Sequence, residues 1–361
     1  MIKLLVVDDS ALVRKLLGQI FSRETDFEVA TARSGAEALA QLIAFAPDVI
    51  TLDVQMPDMD GLTCLDRIMV QRPCPVVMVS SLTAAGAEAT LEALRLGAVD
   101  FVPKPSGAVS LRVDELGAQL VEKVRNAARS RPRLATRLRE RVRHRIGAVP
   151  AAGSSGGPIE RLHFPVKRNG SSFGVVVVGT STGGPPALEA LLSPLPADFP
   201  WPIVVAQHMP LSFTGPLARR LDGLCAVSVK EVVQPALLEP GAVHIGRGDA
   251  DVLVSRRGGK LVAMSAPALP GYPWRPSADR LVRSAMAQLP PDQIIGVLMT
   301  GMGNDGADAM AALRGAGGRA LAESEETAVV WGMPGELVKL GGADAVLPLP
   351  RLADQLCRWL S

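Results

Sequence analysis

The chain has 361 residues, of which 48% are hydrophobic and 20% charged, and its formal net charge is +2. This length suits two ordinary domains, each with its own core, and the composition excludes a disordered or fibrous protein. The four cysteines are scattered without a Cys-x-x-Cys pair, which argues against a zinc site and against a disulfide framework. No stretch approaches the roughly 20 apolar residues of a membrane span, and the apolar N-terminus is too short for a signal peptide. We therefore expect a cytoplasmic protein that is not embedded in a membrane.

The charge is distributed unevenly along the chain. Residues 1–110 carry 9 basic and 14 acidic residues, whereas residues 123–168 carry 13 basic and 2 acidic residues. The most basic part of this segment, residues 123–145, lacks Phe, Tyr and Trp residues for stacking on bases, and residues 169–361 are slightly acidic, with 15 basic and 17 acidic side chains. We therefore expect no nucleic-acid partner. Residues 121–172 are predicted to be a basic and Gly/Pro/Ser-rich linker.

The first 120 residues alternate short apolar runs with amphipathic stretches. This alternation predicts a doubly wound α/β sheet whose ligand site lies at the carboxyl ends of the strands. The predicted strands include Leu4–Val7, Val49–Leu52 and Val76–Val79, and the predicted helices are Ala11–Phe21, Gly35–Phe45, Leu62–Gln71 and Ala87–Leu96.

Charged or hydroxyl side chains mark each strand end of this first domain. Asp8 and Asp9 follow the first strand, and Asp53, Ser80 and Lys104 come at or after the ends of three later ones. Converging carboxylates repel each other unless a cation joins them, and an oxygen-lined site suits Mg²⁺. A carboxylate with Mg²⁺ and a lysine can form an aspartyl phosphate. Any one of these residues could be an ordinary solvated residue at the end of a strand. Because such residues occur at four strand ends in this order, they favour a site for Mg²⁺ and a phosphoryl group.

Residues 1–120 resemble a two-component response-regulator receiver domain. The resemblance rests on Val7-Asp8-Asp9-Ser10, Leu52-Asp53 through Asp60-Gly61, Val79-Ser80-Ser81 and Lys104-Pro105. It implies a flavodoxin-like fold, phosphorylation with Mg²⁺ bound, and a cognate histidine kinase as phosphodonor. The residues it implies are Asp53 as phosphoacceptor, Asp8, Asp9, Asp53 and the Gln55 carbonyl as metal ligands, and Ser80, Phe101 and Lys104 as switch residues.

Residues 173–361 show a second α/β pattern, whose strand order the periodicity leaves open. Val175–Val178 is a run of four β-branched residues, typical of a strand buried on both faces. It continues into Gly179-Thr180-Ser181-Thr182-Gly183, which has the G-x-S-x-G spacing of a strand–turn–helix. Such a turn presents either a nucleophilic serine or a cradle for an anion.

A nucleophilic serine needs a base and an orienting acid. His208 directly follows the apolar strand Ile203–Ala206, so we favour it over His244, which alternates with apolar residues inside a strand. Asp305 stands in a glycine-rich turn after another strand, with a helix N-cap as its alternative role. Asp279 is a weaker rival with the same alternative. The order Ser…His…Asp differs from that of α/β-hydrolases, but a triad is defined by geometry rather than by order.

Residues 173–361 resemble the catalytic domain of the chemotaxis protein-glutamate methylesterases. The motifs are Gly179 to Gly184, Gln207-His208-Met209-Pro210 with Phe213-Thr214, Arg275-Pro276-Ser277, Thr300-Gly301-Met302-Gly303-Asn304-Asp305-Gly306 and Gly332-Met333-Pro334. The resemblance implies a Rossmann-like fold with Ser181 as nucleophile, His208 as base and Asp305 as orienting acid. It also implies that the backbone N–H of Met302 donates to the oxyanion, with Thr182 adjacent to the nucleophile.

The implied reaction is phosphorylation-activated demethylation of glutamate methyl esters and deamidation of glutamines on the cytoplasmic helices of chemoreceptors, with no cofactor for the hydrolytic step. An alternative is a methylesterase-like regulator of a chemosensory pathway outside chemotaxis. The sequence departs from the family pattern at Trp274, where histidine is usual, at Arg247 within Gly246-Arg247-Gly248, and in the acidic stretch Glu323 to Glu326.

Overall fold

The computed structural model describes residues 1–104, 113–130 and 173–361. The chain divides into two compact units, and segment 131–172 lies between their described residues in the sequence. Most of the predicted linker, residues 121–172, therefore lies outside the described residues. Its first residues belong to the helix Val113–Arg129. The domain boundaries near residues 120 and 172 stay predictions.

The first unit contains a five-stranded parallel sheet with the strand order β2-β1-β3-β4-β5. The strands are β1 (Ile2–Val7), β2 (Phe27–Ala32), β3 (Val49–Asp53), β4 (Val76–Ser80) and β5 (Asp100–Pro103). The helices are α1 (Ala11–Ser22), α2 (Gly35–Ala44), α3 (Gly61–Gln71), α4 (Ala84–Leu96) and α5 (Val113–Arg129). This is the doubly wound sheet that the sequence predicts.

Local chemistry explains where the helices of this unit begin. At four of them a polar side chain accepts a hydrogen bond from a backbone N–H in the first turn, which satisfies a donor that has no partner within the helix. These N-cap residues are Ser10, Ser34, Asp60 and Thr83. Strands β3 and β4 are buried along their whole length, as continuous apolar runs of a parallel sheet predict.

The second unit contains a seven-stranded parallel sheet with the order β15-β14-β13-β6-β7-β10-β8, and a three-stranded antiparallel sheet with the order β11-β12-β9. The strands are β6 (Val175–Thr180), β7 (Ile203–Gln207), β8 (Ser228–Glu231), β9 (Ala236–Leu237), β10 (Ala242–Ile245), β11 (Asp251–Arg257), β12 (Lys260–Ala266), β13 (Ile294–Leu298), β14 (Arg319–Glu323) and β15 (Ala345–Leu347). The α-helices are α6 (Gly184–Leu192), α7 (Leu211–Leu224), α8 (Ala278–Met286), α9 (Ala307–Gly315), α10 (Met333–Lys339) and α11 (Leu352–Leu360).

Strand β6 lies near the middle of the large sheet, between β13 and β7. Its Val175 and Val177 pack in one core cluster with residues of α8, α9 and α10. Val176 and Val178 point to the opposite face and are equally buried, with no exposed surface. Both faces of β6 are therefore covered, as the run of valines predicts.

The sequence also predicts strands over Val227–Val229, Ala242–Ile245, Val252–Val254, Leu261–Met264 and Ile294–Thr300, which correspond to β8, β10, β11, β12 and β13. The sequence does not predict β2, β9, β14 and β15. Three of them are short or partly exposed, and β14 contains two alanines between its charged ends. Within the described residues, the helices are too short or too polar for any of them to cross a membrane.

Leu191 in α6 tests the core of the second unit, because its side chain is completely buried. We expect Leu191→Ala to lower the free energy of unfolding by about 2–5 kcal/mol, through lost apolar contacts and the cavity that remains. Urea denaturation followed by tryptophan fluorescence measures this unit selectively, since all four tryptophans lie in it.

The matched control is Leu340→Ala, since Leu340 is 53% exposed. Its effect should stay within about 0.5 kcal/mol. Equal destabilisation by the two variants would contradict the packing described for α6.

Candidate functional site

In the first unit, three carboxylates meet at the carboxyl edge of the parallel sheet. Asp8 and Asp9 follow β1, and Asp53 ends the neighbouring strand β3. Oxygen atoms of the three side chains lie within 4.8 Å of one another. The side chains of Asp8 and Asp53 are 0% and 1% exposed, whereas Asp9 is exposed.

Lys104 partly neutralises this acidic cluster. Its Nζ atom lies 2.6 Å from Oδ2 of Asp53 and 3.4 Å from Oδ2 of Asp8. Burial raises the pKa of both carboxyls, and the hydrogen bonds and the nearby ammonium offset this only in part. The cluster therefore still favours additional positive charge.

The acidic cluster fits a hard divalent cation such as Mg²⁺, because its donors are carboxylate oxygens. Oδ2 of Asp8 is buried and has no hydrogen-bond partner among the described residues, although Lys104 is near. The backbone N–H of Gln55 donates to Oδ1 of Asp53 at 3.1 Å, which places residue 55 directly beside the carboxylates.

The two other predicted switch residues are buried next to this site. The Ser80 hydroxyl donates to the backbone carbonyl of Gly86 at 3.1 Å rather than to Asp53. The carbonyl of Ser80 accepts from the N–H of Lys104 at 2.7 Å. Phe101 is 4% exposed, and Nζ of Lys123 lies 5.4 Å from the centre of its ring.

In the second unit, Ser181 and His208 stand side by side at a sheet edge. Thr180 pairs with Gln207 in the register of β6 and β7, so each candidate residue follows directly after a paired one. The N–H of His208 donates to the carbonyl of Thr180 at 3.0 Å, which extends the pairing past the strand ends. Since neighbouring strands lie roughly 4.8 Å apart, the two side chains start from adjacent positions.

The turn after Ser181 contains two glycines at which a Cβ atom would clash with neighbouring side chains. Gly183 has φ +76°, and a Cβ atom there would lie 2.6 Å from Val329. A Cβ atom on Gly184 would lie 1.9 Å from Oε1 of Gln207. Helix α6 begins at Gly184, so these close approaches allow the turn to lead directly from Ser181 into the helix.

Asp305 is brought to His208 by the loop after β13. Nε2 of His208 lies 2.8 Å from Oδ2 of Asp305, and the side chains are 9% and 2% exposed. Oδ2 also accepts from the N–H of Ala278 at 2.6 Å, while Oδ1 accepts from the Ser277 hydroxyl at 2.9 Å and from the N–H of Asp279 at 3.1 Å. The carboxylate thus lies at the N-terminus of α8, where the helix dipole favours negative charge.

These bonds keep the Asp305 carboxyl ionised. Burial by itself would raise its pKa, but the hydrogen bond and charge of His208 together with the helix N–H groups outweigh burial, so the pKa lies below its usual value. An ionised carboxylate only accepts hydrogen bonds, so Nε2 of His208 carries the proton and the lone pair is on Nδ1. Nδ1 is buried and has no hydrogen-bond partner among the described residues. This nitrogen is therefore the one that can accept a proton.

The predicted oxyanion donor lies in the turn that follows β13. Met302 is 6% exposed, and no acceptor among the described residues pairs with its backbone N–H. The turn is attached to Ser181 through the neighbouring residue Thr300, whose carbonyl accepts from the N–H of Ser181 at 3.0 Å. Thr182 is buried, and its carbonyl accepts from the hydroxyl of Thr300 at 2.9 Å.

His244 and Asp279, the alternatives to His208 and Asp305, have other positions or other hydrogen-bond partners. His244 pairs with Val204, which precedes His208 by four residues on the neighbouring strand, and burial lowers the pKa of His244 to about 4. The Asp279 carboxylate accepts from the N–H of Ala309 at 2.9 Å and thereby binds the first turn of α9.

Two family models match the chain. One described as CheB methylesterase matches residues 176–356, and one described as Response regulator receiver domain matches residues 4–114. Protein-glutamate methylesterase/protein-glutamine glutaminase 2 of Rhodopseudomonas palustris is 54% identical over 361 residues, covering 99% of this chain and 98% of that protein. This chain belongs to the protein-glutamate methylesterase/protein-glutamine glutaminase family.

Further relatives agree with this assignment. Protein-glutamate methylesterase/protein-glutamine glutaminase 3 of Rhodospirillum rubrum is 52% identical over 364 residues, covering 100% of this chain and 97% of that protein. The crystal structure of the Thermotoga maritima CheB methylesterase catalytic domain matches with 37% identity and a TM-score of 0.50, covering 52% of this chain and 99% of that chain. The chain is therefore a hydrolase of the methylesterase type that also carries a receiver domain.

The supporting roles of Ser277 and Glu323 in this candidate site were not predicted from the sequence. Ser277 was noted as part of a motif, but its hydrogen bond to Asp305 was not foreseen. Glu323 is completely buried, and its carboxylate accepts from the N–H of Thr300 and the hydroxyl of Thr327, both at 2.9 Å. A glutamate that ends a strand, as Glu323 ends β14, is the signal that could have indicated this role.

The Ser277→Ala variant tests whether the Ser277 hydroxyl, which donates to Asp305, stabilises the second unit. The variant removes the hydrogen bond to Oδ1 of Asp305 and the N-cap bond from the N–H of Arg280. We expect the free energy of unfolding of the second unit to fall by about 1–2 kcal/mol, as measured by urea denaturation with tryptophan fluorescence. The control is Ser193→Ala at the C-terminal end of α6, which should stay near the wild-type value. A Ser277 variant as stable as the control would contradict the prediction.

Proposed function

We propose that Ser181, His208 and Asp305 form a catalytic triad that hydrolyses methyl esters of protein glutamate side chains. The observation that carries this proposal is the 2.8 Å contact between Nε2 of His208 and Oδ2 of Asp305, one strand away from Ser181. The contact leaves Nδ1 of His208 as the acceptor for the proton of a nucleophile, and Ser181 is the neighbouring hydroxyl at the strand end.

In the first half of the reaction, Oγ of Ser181 attacks the ester carbonyl carbon while Nδ1 of His208 takes the hydroxyl proton. Asp305 holds the imidazole in the required tautomer and stabilises its positive charge. The N–H of Met302 donates to the oxyanion, a contribution on the order of 100- to 1,000-fold in kcat per donor in serine hydrolases. The bond to the methoxy oxygen then breaks, and His208 returns the proton to give methanol.

In the second half, a water molecule gives a proton to His208 and attacks the acyl-serine carbonyl carbon. The bond to Oγ of Ser181 breaks, the serine regains its proton and a free glutamate side chain leaves. A glutamine amide follows the same course and releases ammonia instead of methanol. The names of the relatives include both activities, protein-glutamate methylesterase and protein-glutamine glutaminase. We infer that the substrates are the cytoplasmic helices of chemoreceptors, so that the reaction serves adaptation in chemotaxis.

Phosphorylation of the receiver domain would regulate the hydrolase. We propose that a carboxylate oxygen of Asp53 attacks the phosphorus of a phosphohistidine on a cognate kinase, so that the P–N bond breaks. Asp8, Asp9, Asp53 and the Gln55 carbonyl would hold Mg²⁺, which neutralises charge on the phosphoryl oxygens when it is bound. Lys104 would bind the phosphoryl group, and the Ser80 hydroxyl would leave the Gly86 carbonyl to donate to it.

The thiols fit a reducing compartment. All four cysteines are free, and burial raises the pKa of Cys64 and Cys74 to about 12. Together with the receiver domain, this supports action in the cytoplasm.

Ser181→Ala tests the nucleophile. We expect the release of methanol from a methylated chemoreceptor fragment to fall at least about 1,000-fold, because the group that attacks the ester is gone. The control Ser193→Ala should retain wild-type turnover. Retained turnover in Ser181→Ala, with fluorescence showing a folded protein, would refute the assignment.

Asp53→Asn tests the phosphoacceptor. We expect the basal hydrolase rate to remain, while the increase on addition of an acyl phosphate and Mg²⁺ disappears, since an amide cannot accept the phosphoryl group. Chelation of Mg²⁺ should abolish the increase in the wild type as well. The matched control is Asp58→Asn, which changes an exposed acid in the following loop and should still respond. A response that persists in Asp53→Asn would point to another phosphorylated residue.

A further inference from the structure

Trp274 lies directly against the catalytic base of the proposed triad. Its indole ring and the imidazole of His208 are parallel within 3°, and their centres are 5.1 Å apart. Trp274 is also three residues before Ser277, which donates to Asp305. One short segment thus contacts both the histidine and the aspartate.

The same indole ring touches the turn that holds the proposed oxyanion donor. Gly303 follows Met302 and has φ +82°, and a Cβ atom there would lie 2.8 Å from Cζ2 of Trp274. The absence of a side chain at Gly303 is what allows the indole ring to lie this close. Trp274 therefore contacts the base on one side and the oxyanion turn on another.

Hydrogen bonding alone does not determine the orientation of the His208 ring. Among the described residues, its ring nitrogens make one hydrogen bond, from Nε2 to Asp305, and Nδ1 has no partner. A single bond permits the ring to tilt and turn about the line that joins Nε2 to Oδ2. A flat ring stacked on the imidazole face removes that freedom and fixes the direction in which Nδ1 points.

The stacking also matters when the imidazole becomes charged. During the reaction His208 holds the proton of Ser181 and carries a positive charge, which the face of an indole ring attracts. The interaction is stronger with the charged ring of the transition state than with the neutral ring of the resting enzyme. Such a difference accelerates the chemical step and leaves substrate binding unchanged.

We propose that Trp274 is a positioning residue that sets the plane of the His208 ring and stabilises its charged form. This inference rests on the proposed triad. It predicts a change in kcat at constant KM, whereas a tryptophan that served to bind the receptor helix would change KM.

The test compares Trp274→Leu and Trp274→Phe in the full-length protein, with kcat and KM measured separately on a methylated chemoreceptor fragment. We expect Trp274→Leu to lower kcat about 2- to 30-fold with KM little changed. Trp274→Phe keeps a flat aromatic face and should recover most of the loss. The matched control is Trp359→Leu, which removes a half-buried tryptophan that stacks on Arg319 instead and should leave kcat unchanged.

A second measurement is independent of how well the variants fold. In the wild-type protein, NMR of labelled histidine should show the ring protons of His208 shifted upfield by the indole, and an unshifted signal would overturn the inference. It would also be overturned by a wild-type kcat in Trp274→Leu, by a change confined to KM, or by an equal loss in the leucine and phenylalanine variants. The Ser181→Ala variant distinguishes failure of the proposed triad from failure of the Trp274 proposal. Activity in Ser181→Ala refutes the triad itself. An inactive Ser181→Ala together with a fully active Trp274→Leu refutes only the role of Trp274.

Discussion

The site of the second unit depends on the parallel pairing of β6 with β13 on one side and β7 on the other. The registers are Gly179 with Leu298 and Thr180 with Gln207, so three strand ends finish at nearly the same level. Backbone hydrogen bonds continue the pairing beyond the strands, from Ser181 to Thr300 and from His208 to Thr180. Ser181 and His208, the proposed nucleophile and base, therefore lie next to each other because their two strands pair.

The buried carboxylates of the two units are stabilised in different ways. Asp305 accepts hydrogen bonds from His208, Ser277 and the first N–H groups of α8, which hold its pKa below the usual value. The acidic cluster of Asp8 and Asp53 has one lysine for two buried carboxylates, and burial raises their pKa. A buried charge is costly unless it is paired. The negative charge of Asp305 is therefore stabilised by hydrogen bonds, including the one from His208. The acidic cluster lacks sufficient positive charge and is suited to binding a cation.

The strands with continuous β-branched or aliphatic runs were predicted well, because burial on both faces leaves a local pattern in the sequence. Strands β2 and β15 lack this pattern because the sheet partly exposes them. Gly183 and Gly184 allow close approach to Val329 and Gln207, contacts between segments that no local pattern reveals.

The sequence by itself determined the two α/β units and the candidate residues at their strand ends, since alternating apolar runs and the residues that end them are local properties. The family motifs singled out Ser181, His208 and Asp305 in the same way. Only the tertiary structure decided the strand order, the 2.8 Å contact between His208 and Asp305, and the stacking of Trp274 on His208. His208 and Asp305, for example, are 97 residues apart in the sequence. These features depend on which strands pair and how side chains pack, and neither leaves a periodic signal in the chain.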